Sequence, residues 1–367
     1  MRIITLSLLL CGLVIQSFGV RPPLKGYTYA SEQAPTGKEW QSPENLALNK
    51  EQPHAWFFPF QDIKSARKVL PENSIYWQSL NGNWKFNWAA DPDSRPKDFY
   101  KTDFDVTAWD NIPVPSSWNI YGVQQDGSLK YGVPIYVNQP VIFMHSVKAD
   151  DWRGGVMRTP PTNWTTYKYR NEVGSFRREF EIPEHWDGRE VFISFDGVDS
   201  FFYLWINGMY VGFSKNSRNT ANFNITNYLR SGKNIVAAEV YRNSDGSFLE
   251  AQDMFRLPGI FRTVALYSTP KVQIRDLVAT PDLDNNYTDG SLTIQADIRN
   301  FGKKTAKGYK VCYSLYANKL YSDENEPVIL ARDTKGAAIR NSVVAQVEPI
   351  TTGNTQEAEK VVLTAKP

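Results

Sequence analysis

The sequence has 367 residues, enough for two ordinary domains with full hydrophobic cores. Its 41 Lys and Arg residues nearly balance 39 Asp and Glu residues, giving a formal net charge of +2. This balance argues against nucleic acid as a partner, because phosphate binding requires a concentrated basic surface. Aromatic residues make up 14% of the chain. Aromatic side chains can pack on the apolar faces of sugars, and they are also common in the cores of β-sandwiches. Composition alone favours a role in the core.

The first 19 residues have the pattern of a secretory signal peptide. Met1-Arg2 is a short positive start, residues 3–15 are mostly apolar, and Ser17 and Gly19 suit cleavage after Gly19. The apolar run is shorter than the roughly 20 residues that a membrane-spanning helix needs. No later segment of the sequence is apolar enough to span a bilayer. We therefore expect an exported protein, periplasmic or extracellular.

The two cysteines and three histidines offer little chemistry. Cys11 lies in the leader, where lipid attachment is the weaker alternative because Leu10 stands where such a site needs a small residue. Cys312 is then the single thiol of the mature chain, so we expect no internal disulfide. The histidines are scattered without metal-ligand spacing, and the sequence predicts no metal site.

Residues 20–70 are polar and rich in proline, which predicts an extended arm lying over the first domain. Residues 71–268 then show short alternating apolar runs between turns, a pattern typical of an all-β sandwich. Within this region, His145 to Asn171 is polar and irregular. Its aromatic residues either line a sugar subsite or hold the segment against the sandwich. They are Trp152, Trp164, Tyr167 and Tyr169.

The densest alternation of the chain lies between Phe195 and Phe261. Phe202, Leu204 and Ile206 fall on one face of an extended strand, and Asn207-Gly208 follows at once. Asn-Gly between two alternating runs predicts a β-hairpin with a type I′ turn, since both central residues then need positive φ.

The loop from Asn243 to Gly259 is long and polar, which is typical of a functional or docked loop. It carries Asp245, Glu250 and Asp253, with Arg256 and Arg262 nearby. One interpretation is an acid–base carboxylate pair. The favoured interpretation is structural: the carboxylates pair with arginine and hold the loop against a neighbouring domain.

Several segments of this region share their residues and their order with a known family. They are Phe195-Asp196-Gly197-Val198, Leu204-Trp205-Ile206-Asn207-Gly208, Val211-Gly212-Phe213-Ser214, Ser217-Arg218, Ser244-Asp245-Gly246-Ser247-Phe248-Leu249-Glu250, Gln252-Asp253-Met254 and Gly259-Ile260-Phe261-Arg262. Together they resemble the sugar-binding domain of glycoside hydrolase family 2, most closely its β-galactosidase branch. The resemblance implies a galactose-binding-like jelly-roll β-sandwich over residues 71–268.

After Ser268-Thr269-Pro270 the pattern changes to weaker alternating runs over about 100 residues, which fits an immunoglobulin-like sandwich. The resemblance implies the same domain over residues 269–367, which need not be complete. The expected fold class is therefore all-β, a galactose-binding-like jelly-roll β-sandwich followed by an immunoglobulin-like β-sandwich.

In this family a TIM barrel follows the immunoglobulin-like domain and carries two catalytic Glu residues of a retaining mechanism. A barrel needs about 250 residues, and none remain after Pro367. The resemblance implies the non-catalytic N-terminal region of an exported β-galactosidase, as a fragment or truncated product. Such a chain is expected to be inactive alone, with a barrel in cis or in trans and a β-galactoside or galactan oligosaccharide as partners. The alternative is a stand-alone carbohydrate-binding or scaffold protein without hydrolase activity.

The resemblance also carries over two substrate-binding positions and no catalytic one. The family's Asn in a Tyr-x-Asn segment is Asn138 here, and its Asp before Ser-Arg, which helps hold a sodium ion, is replaced by Asn216. Asn brings no negative charge, which counts against sodium, and we expect no other cofactor. From the residues alone, both are turn residues that tolerate left-handed geometry. A weaker hypothesis is that Lys215 and Arg218 meet the charge of an anionic galactan.

Overall fold

The computed structural model describes residues 34–66, 68, 70–137, 171–250, 254–283, 285–287, 290–315, 339–347 and 359–365. Over these residues the chain forms twenty β-strands and three short α-helices. Every pairing between the strands is antiparallel. The expectation of an all-β protein is therefore confirmed.

The strands, in chain order, are β1 (Ala47–Leu48), β2 (Trp77–Ser79), β3 (Gly82–Ala89), β4 (Asp110–Val114), β5 (Ile135–Val137), β6 (Val173–Glu181), β7 (Glu190–Phe195), β8 (Val198–Asp199), β9 (Phe201–Ile206), β10 (Met209–Ser214), β11 (Ala221–Asn224), β12 (Lys233–Tyr241), β13 (Met254–Arg256), β14 (Gly259–Ile260), β15 (Val264–Thr269), β16 (Val272–Leu283), β17 (Gly290–Asn300), β18 (Ala306–Leu315), β19 (Ile339–Val347) and β20 (Glu359–Ala365). The helices are α1 (Ile63–Ala66), α2 (Trp118–Tyr121) and α3 (Ser247–Glu250). Among the described residues, no helix has the length and apolar character needed to cross a membrane.

Two sheets pack face to face around the main hydrophobic core. The larger has seven strands in the order β1-β10-β9-β12-β6-β3-β4, and the smaller has four in the order β11-β7-β15-β2. Their inward side chains alternate along each strand, as a two-residue period requires. The largest of these core side chains include Trp84, Phe86, Phe176, Phe195, Phe202 and Phe223.

The seven-stranded sheet is buried on its outer face as well. All six residues of β9 are buried, so Phe201, Tyr203 and Trp205 form a second aromatic cluster behind Phe202 and Leu204. Trp40, Phe99, Phe104 and Trp109 cover this cluster from distant parts of the sequence. The sequence predicted the Phe202 face correctly but did not predict that the opposite face is covered.

The Asn207-Gly208 hairpin forms as predicted. Both turn residues have positive φ, 53° and 81°, and Met209 pairs with Ile206 across the turn. The Asn207 amide also donates to the carbonyl oxygen of Tyr228 at 2.8 Å. This turn therefore fixes the register of β9 and β10 and ties it to the segment before β12.

The arm runs along one strand at the edge of each sheet, β10 of the larger sheet and β11 of the smaller sheet. Leu48 of β1 pairs with Phe213, and the Glu51 backbone N–H donates to the carbonyl oxygen of Asn222 at 2.8 Å. A Cβ atom on Gly212 would lie only 2.1 Å from the Leu48 carbonyl oxygen. Glycine at this position is therefore what lets the arm approach β10.

The described residues between 272 and 365 form two further sheets, β16-β17-β20 and β18-β19. The region contacts the arm, where buried Arg299 donates from Nη1 to the Glu51 carboxylate at 2.8 Å. It also contacts the sandwich directly, because Phe301 packs on Phe192 of β7. The immunoglobulin-like assignment of residues 269–367 and the other predicted boundaries stay predictions. The leader, residues 1–19, lies outside the described residues.

Replacing Gly212 by Ala is expected to displace β1 from β10. Overpacking of this kind costs about 1–3 kcal/mol, and we expect a loss in that range in the free energy of unfolding measured by urea denaturation. Leu46→Ala is the control, since the Leu46 side chain lies on the same arm and is 70% exposed. Equal stability of Gly212→Ala and the native chain would contradict the close approach of the arm.

Candidate functional site

Asn216 lies in the loop after β10, between two buried neighbours. Lys215 is 4% exposed and Ser217 is fully buried, whereas Asn216 itself is exposed. Its φ of 76° is in the left-handed region, which Asn tolerates better than most residues. No hydrogen bond joins its side-chain amide to another residue of the described ranges. The fold therefore fixes the backbone of Asn216 and leaves its amide facing solvent.

Lys215 anchors one side of this loop. Its ammonium group donates to the Asp245 carboxylate at 2.9 Å and to the Ser42 carbonyl oxygen at 2.6 Å. The Asp245 backbone N–H in turn donates to the carbonyl oxygen of Trp40 at 2.9 Å. The hypothesis that Lys215 meets an anionic galactan is therefore wrong, because its charge is buried and paired. The same hypothesis for Arg218 stays a prediction, since the Arg218 side chain is 37% exposed.

Ser217 anchors the other side of the loop between two carboxylates. Its backbone N–H donates to Glu250 Oε1 at 2.7 Å, and its hydroxyl contacts both Glu250 Oε2 and, at 3.4 Å, Asp199 Oδ1. Arg218 pairs with Asp199 at 3.3 Å. Burial raises the pKa of the Asp199 carboxyl to about 6, with Arg218 opposing the rise and the Glu250 charge adding to it.

Two carboxylates of the polar loop, Asp245 and Glu250, have structural roles with partners other than the arginines that the sequence suggested. Asp245 pairs with Lys215 and Glu250 with Ser217, whereas Arg256 donates to the backbone oxygen of Glu250 at 3.1 Å. Asp253 lies outside the described residues. Asp199 was missed, because a single Asp in a short strand gives no sequence signal until the fold brings Ser217 beside it.

Asn138 lies outside the described residues, but the chain before it belongs to the same part of the molecule. Val137 pairs with Met254 in the two-stranded sheet β5-β13. The Arg218 guanidinium donates to the Met254 sulfur at 3.5 Å, which links this sheet to the Asn216 loop. We call these elements, residues 215–218, α3 and the β5-β13 sheet, the rim.

The rim also exposes large apolar side chains. Tyr136 and Phe255 are 53% and 57% exposed, and their ring centroids lie 5.3 Å apart. Leu249 of α3 is 86% exposed. A cluster of exposed apolar groups beside polar ones is typical of a surface that meets another molecule or domain.

Two further expectations concern ions and the inserted segment. Within the described ranges, no group of three or more His, Cys, Asp or Glu side chains is arranged to hold a metal ion. The aromatic residues of the segment His145 to Asn171 are Trp152, Trp164, Tyr167 and Tyr169, and they lie outside the described residues. Both interpretations of that segment therefore stay open.

A β-sandwich with a polar rim defines the class of module. Residues 77–270, more than half of the 367-residue chain, match the family model for the sugar binding domain of glycosyl hydrolases family 2. The chain therefore belongs to glycosyl hydrolase family 2.

Named relatives agree with this assignment. The chain is 42% identical over 264 residues to a beta-galactosidase of Priestia megaterium, covering 72% of this chain and 24% of that protein. It is 32% identical over 296 residues to a beta-galactosidase large subunit of Lactobacillus helveticus, covering 78% of this chain and 44% of the subunit. The chain thus spans less than half of either relative.

Solved structures agree on the fold. A beta-glucuronidase of Bacteroides uniformis superposes with a TM-score of 0.52 at 16% identity, covering 79% of this chain and 27% of that chain. A glycosyl hydrolase family 2 member of Bacteroides cellulosilyticus gives a TM-score of 0.50, again at 16% identity. The match covers 79% of this chain and 31% of the Bacteroides cellulosilyticus chain. At this identity the likeness concerns the fold alone.

Lys215→Met tests the buried anchor of the loop. The substitution leaves the Asp245 carboxylate, 11% exposed, without its cation, and breaking a buried pair in this way costs about 3–5 kcal/mol. We expect a loss near the lower end of that range in urea unfolding. Lys233→Met is the matched control, because its pair with Glu179 is mostly exposed and should contribute less than about 1 kcal/mol. Equal effects of both substitutions would contradict a buried anchor.

Asp199 predicts a pH dependence of stability. Its folded pKa of about 6 lies above the roughly 3.9 of an unfolded chain, so the folded state binds more protons between these values. The free energy of unfolding therefore falls as the pH rises from about 4 to about 6, by at most about 3 kcal/mol from this group. Asp199→Asn keeps the shape of the side chain and removes its titration. The free energy of unfolding, measured by urea denaturation at several pH values, should then lose the part of its pH dependence that Asp199 contributes. Asp93→Asn, at an exposed position, controls for loss of one charge. If the pH dependence of stability in Asp199→Asn equals that of the native chain, Asp199 is not the group responsible for it.

Proposed function

We propose that this chain is the sugar-binding, non-catalytic region of an exported β-galactosidase-type hydrolase. In this proposal the rim completes the galactosyl site of a catalytic barrel, and Asn216 and Asn138 contact the sugar. Family membership and the beta-galactosidase of Priestia megaterium support the reaction class. The observation that carries the proposal is the exposed amide of Asn216, held between two buried and anchored residues.

The chemistry of the Asn216 amide suits a neutral sugar. Its carbonyl oxygen accepts a hydrogen bond from a hydroxyl group, and its NH₂ group donates two. Because Lys215 and Ser217 already fix the loop, little conformational freedom is lost when a ligand binds. A preformed donor and acceptor pair of this kind distinguishes hydroxyl positions on a sugar ring.

A sodium ion does not fit the residues around position 216 well. The amide oxygen of Asn216 is a neutral ligand, and the Asp245 carboxylate is neutralised by Lys215 at 2.9 Å. The other carboxylates of the rim are also engaged, Glu250 by Ser217 and Asp199 by Arg218. Hard cations prefer several oxygen ligands with negative charge among them. We therefore assign the Asn216 side chain to the sugar and derive no step through an ion.

Hydrolysis itself is assigned to a barrel that acts in cis or in trans. A retaining glycosidase needs two carboxyl groups about 5–5.5 Å apart, and Asp245 and Glu250 are occupied in anchoring the rim. The exposed Tyr136, Phe255 and Leu249 form the surface that the barrel would cover. Export follows in this proposal from the leader over residues 1–19, and the substrate is a β-galactoside or galactan oligosaccharide.

The first test is hydrolysis of an aryl β-galactoside. The purified 367-residue chain is compared with a longer protein that continues through the downstream reading frame into a barrel. We expect activity in the longer protein only. Activity of the short chain would overturn the non-catalytic assignment and direct attention to Asp199, Asp245 and Glu250.

Asn216→Gly in the longer protein tests the sugar contact. Glycine keeps the positive φ without strain and removes only the amide. Loss of one hydrogen bond of about 1–1.5 kcal/mol predicts a decrease in kcat/KM of roughly tenfold. Asn219→Gly is the matched control, since Asn219 is an exposed Asn on the same stretch of chain. An unchanged kcat/KM in Asn216→Gly would refute the role of Asn216.

A further inference from the structure

The outer face of the four-stranded sheet carries side chains in three rows. Strand register aligns them across β2, β15 and β7, and the inward residues Leu80, Leu266 and Ile193 confirm which side chains point outward. The rows are aromatic (Trp77, Tyr267, Phe192), small (Ser79, Ala265, Ser194) and polar (Asn81, Thr263, Asp196). The small middle row leaves a depression between an aromatic side and a polar side.

This depression is a pocket of about 430 Å³, which we call the trough. Its lining includes Trp56 and Trp77 on the aromatic side, with Asn81 and Asp196 on the polar side. A volume of this size is in the range of small-molecule sites, about 300–1,000 Å³. The lining of the trough names no residue of the rim, so its ligand is distinct from the sugar proposed at Asn216. The two surfaces are neighbours, because Arg262 donates to the carbonyl oxygens of Asp196, at 3.5 Å, and Arg218, at 2.8 Å.

Trp56 forms a firm wall of the trough although it is 59% exposed. Its ring packs edge-on against Phe58 at 4.9 Å, and Phe58 packs in the same way against Tyr267 at 5.8 Å. Within the described ranges, the indole N–H groups of Trp56 and Trp77 make no hydrogen bond. The aromatic side of the trough therefore presents a flat apolar surface together with two indole N–H donors that are not used within the described ranges.

The polar side is held in place by its own hydrogen bonds. Asn81 accepts from the backbone N–H of Val264 at 3.0 Å and donates to the Thr263 hydroxyl at 3.2 Å. Asp196 accepts from the Ser194 hydroxyl at 3.0 Å. Asn81 Oδ1 and Asp196 Oδ1 each have a second lone pair, and the other Asp196 carboxylate oxygen makes no hydrogen bond within the described ranges. The charge of Arg262 acts on the Asp196 carboxylate without a hydrogen bond to it. Fixed acceptors thus face the aromatic wall.

We propose that the trough binds a neutral hexopyranose unit of a glycan. The C–H face of such a ring packs on an indole, while hydroxyl groups on its edge donate to Asn81 and Asp196. The carboxylates of Asp196 and Glu72, both in the lining, disfavour an anionic ligand. This second site goes beyond the proposed function, because it needs neither the barrel nor the rim.

The test follows the indole N–H signals of the ¹⁵N-tryptophan-labelled chain during titration with lactose, galactose and galacturonic acid. Signals of Trp56 and Trp77 are assigned from their loss in Trp56→Phe and Trp77→Phe. We expect both signals to shift with the two neutral sugars, with dissociation constants in the millimolar range. Galacturonic acid should bind at least several-fold more weakly, because it faces two carboxylates.

Three substitutions decide whether the shifts report the trough. Trp56→Ala should abolish the shift of the Trp77 signal, whereas Trp56→Phe, which keeps a flat ring, should retain most of it. Tyr287→Ala, which removes an 80% exposed aromatic residue elsewhere, should leave binding unchanged. Circular dichroism and the melting temperature establish that each variant is folded.

Three outcomes would overturn the proposal. The first is that no sugar shifts the Trp56 or Trp77 signal in the folded native chain. The second is that Trp56→Ala binds as tightly as the native chain, and the third is that galacturonic acid binds at least as tightly as galactose. None of these outcomes bears on Asn216→Gly in the hydrolysis assay, so failure of the trough and failure of the rim are separate results.

Discussion

Burial of the seven-stranded sheet on both faces constrains where this molecule can carry polar chemistry. All six side chains of β9 are buried, with Phe202 in the sandwich core and Tyr203 and Trp205 behind it. An unpaired polar group on either face would lose its hydration without compensation. Polar function is therefore displaced to the places where strands of this sheet end, and the loop after β10, which carries Asn216, is one of them.

The rim shows how charged residues are accommodated so close to that core. Lys215 is buried and has two acceptors, Asp245 and the Ser42 carbonyl oxygen, while Glu250 receives two hydrogen bonds from Ser217. Buried pairs contribute little net stability but are costly to break, so they select one loop conformation rather than strengthen the fold. The conformation selected here directs the neighbouring amide of Asn216 away from the protein, which is the geometry that a ligand contact requires.

Local features of the fold could be predicted from sequence, whereas contacts between distant segments could not. Asn207-Gly208 and the alternation of Phe202, Leu204 and Ile206 encode a hairpin within a dozen residues. In contrast, the cover over Tyr203 comes from Trp40 and the segment around Phe99, more than 100 residues away. The same applies to the candidate site. The position of Asn216 in the chain followed from the resemblance. The contacts that anchor its loop, Lys215–Asp245 and Ser217–Asp199, join residues far apart in sequence, and no helix or strand periodicity predicts them.

The arm connects these separate features, and its path explains why they belong to one structure. Trp40 covers the outer aromatic cluster, Ser42 accepts from Lys215 beside Asn216, and Leu48 extends the larger sheet. Further on, Glu51 meets Arg299 of the following region, and Trp56 walls the trough on the smaller sheet. A segment with so little secondary structure of its own is ordered only by these contacts, because its backbone gains few internal hydrogen bonds. Ordering of the arm should therefore depend on both sheets being formed, so that the rim and the trough, although on different sheets, become structured together.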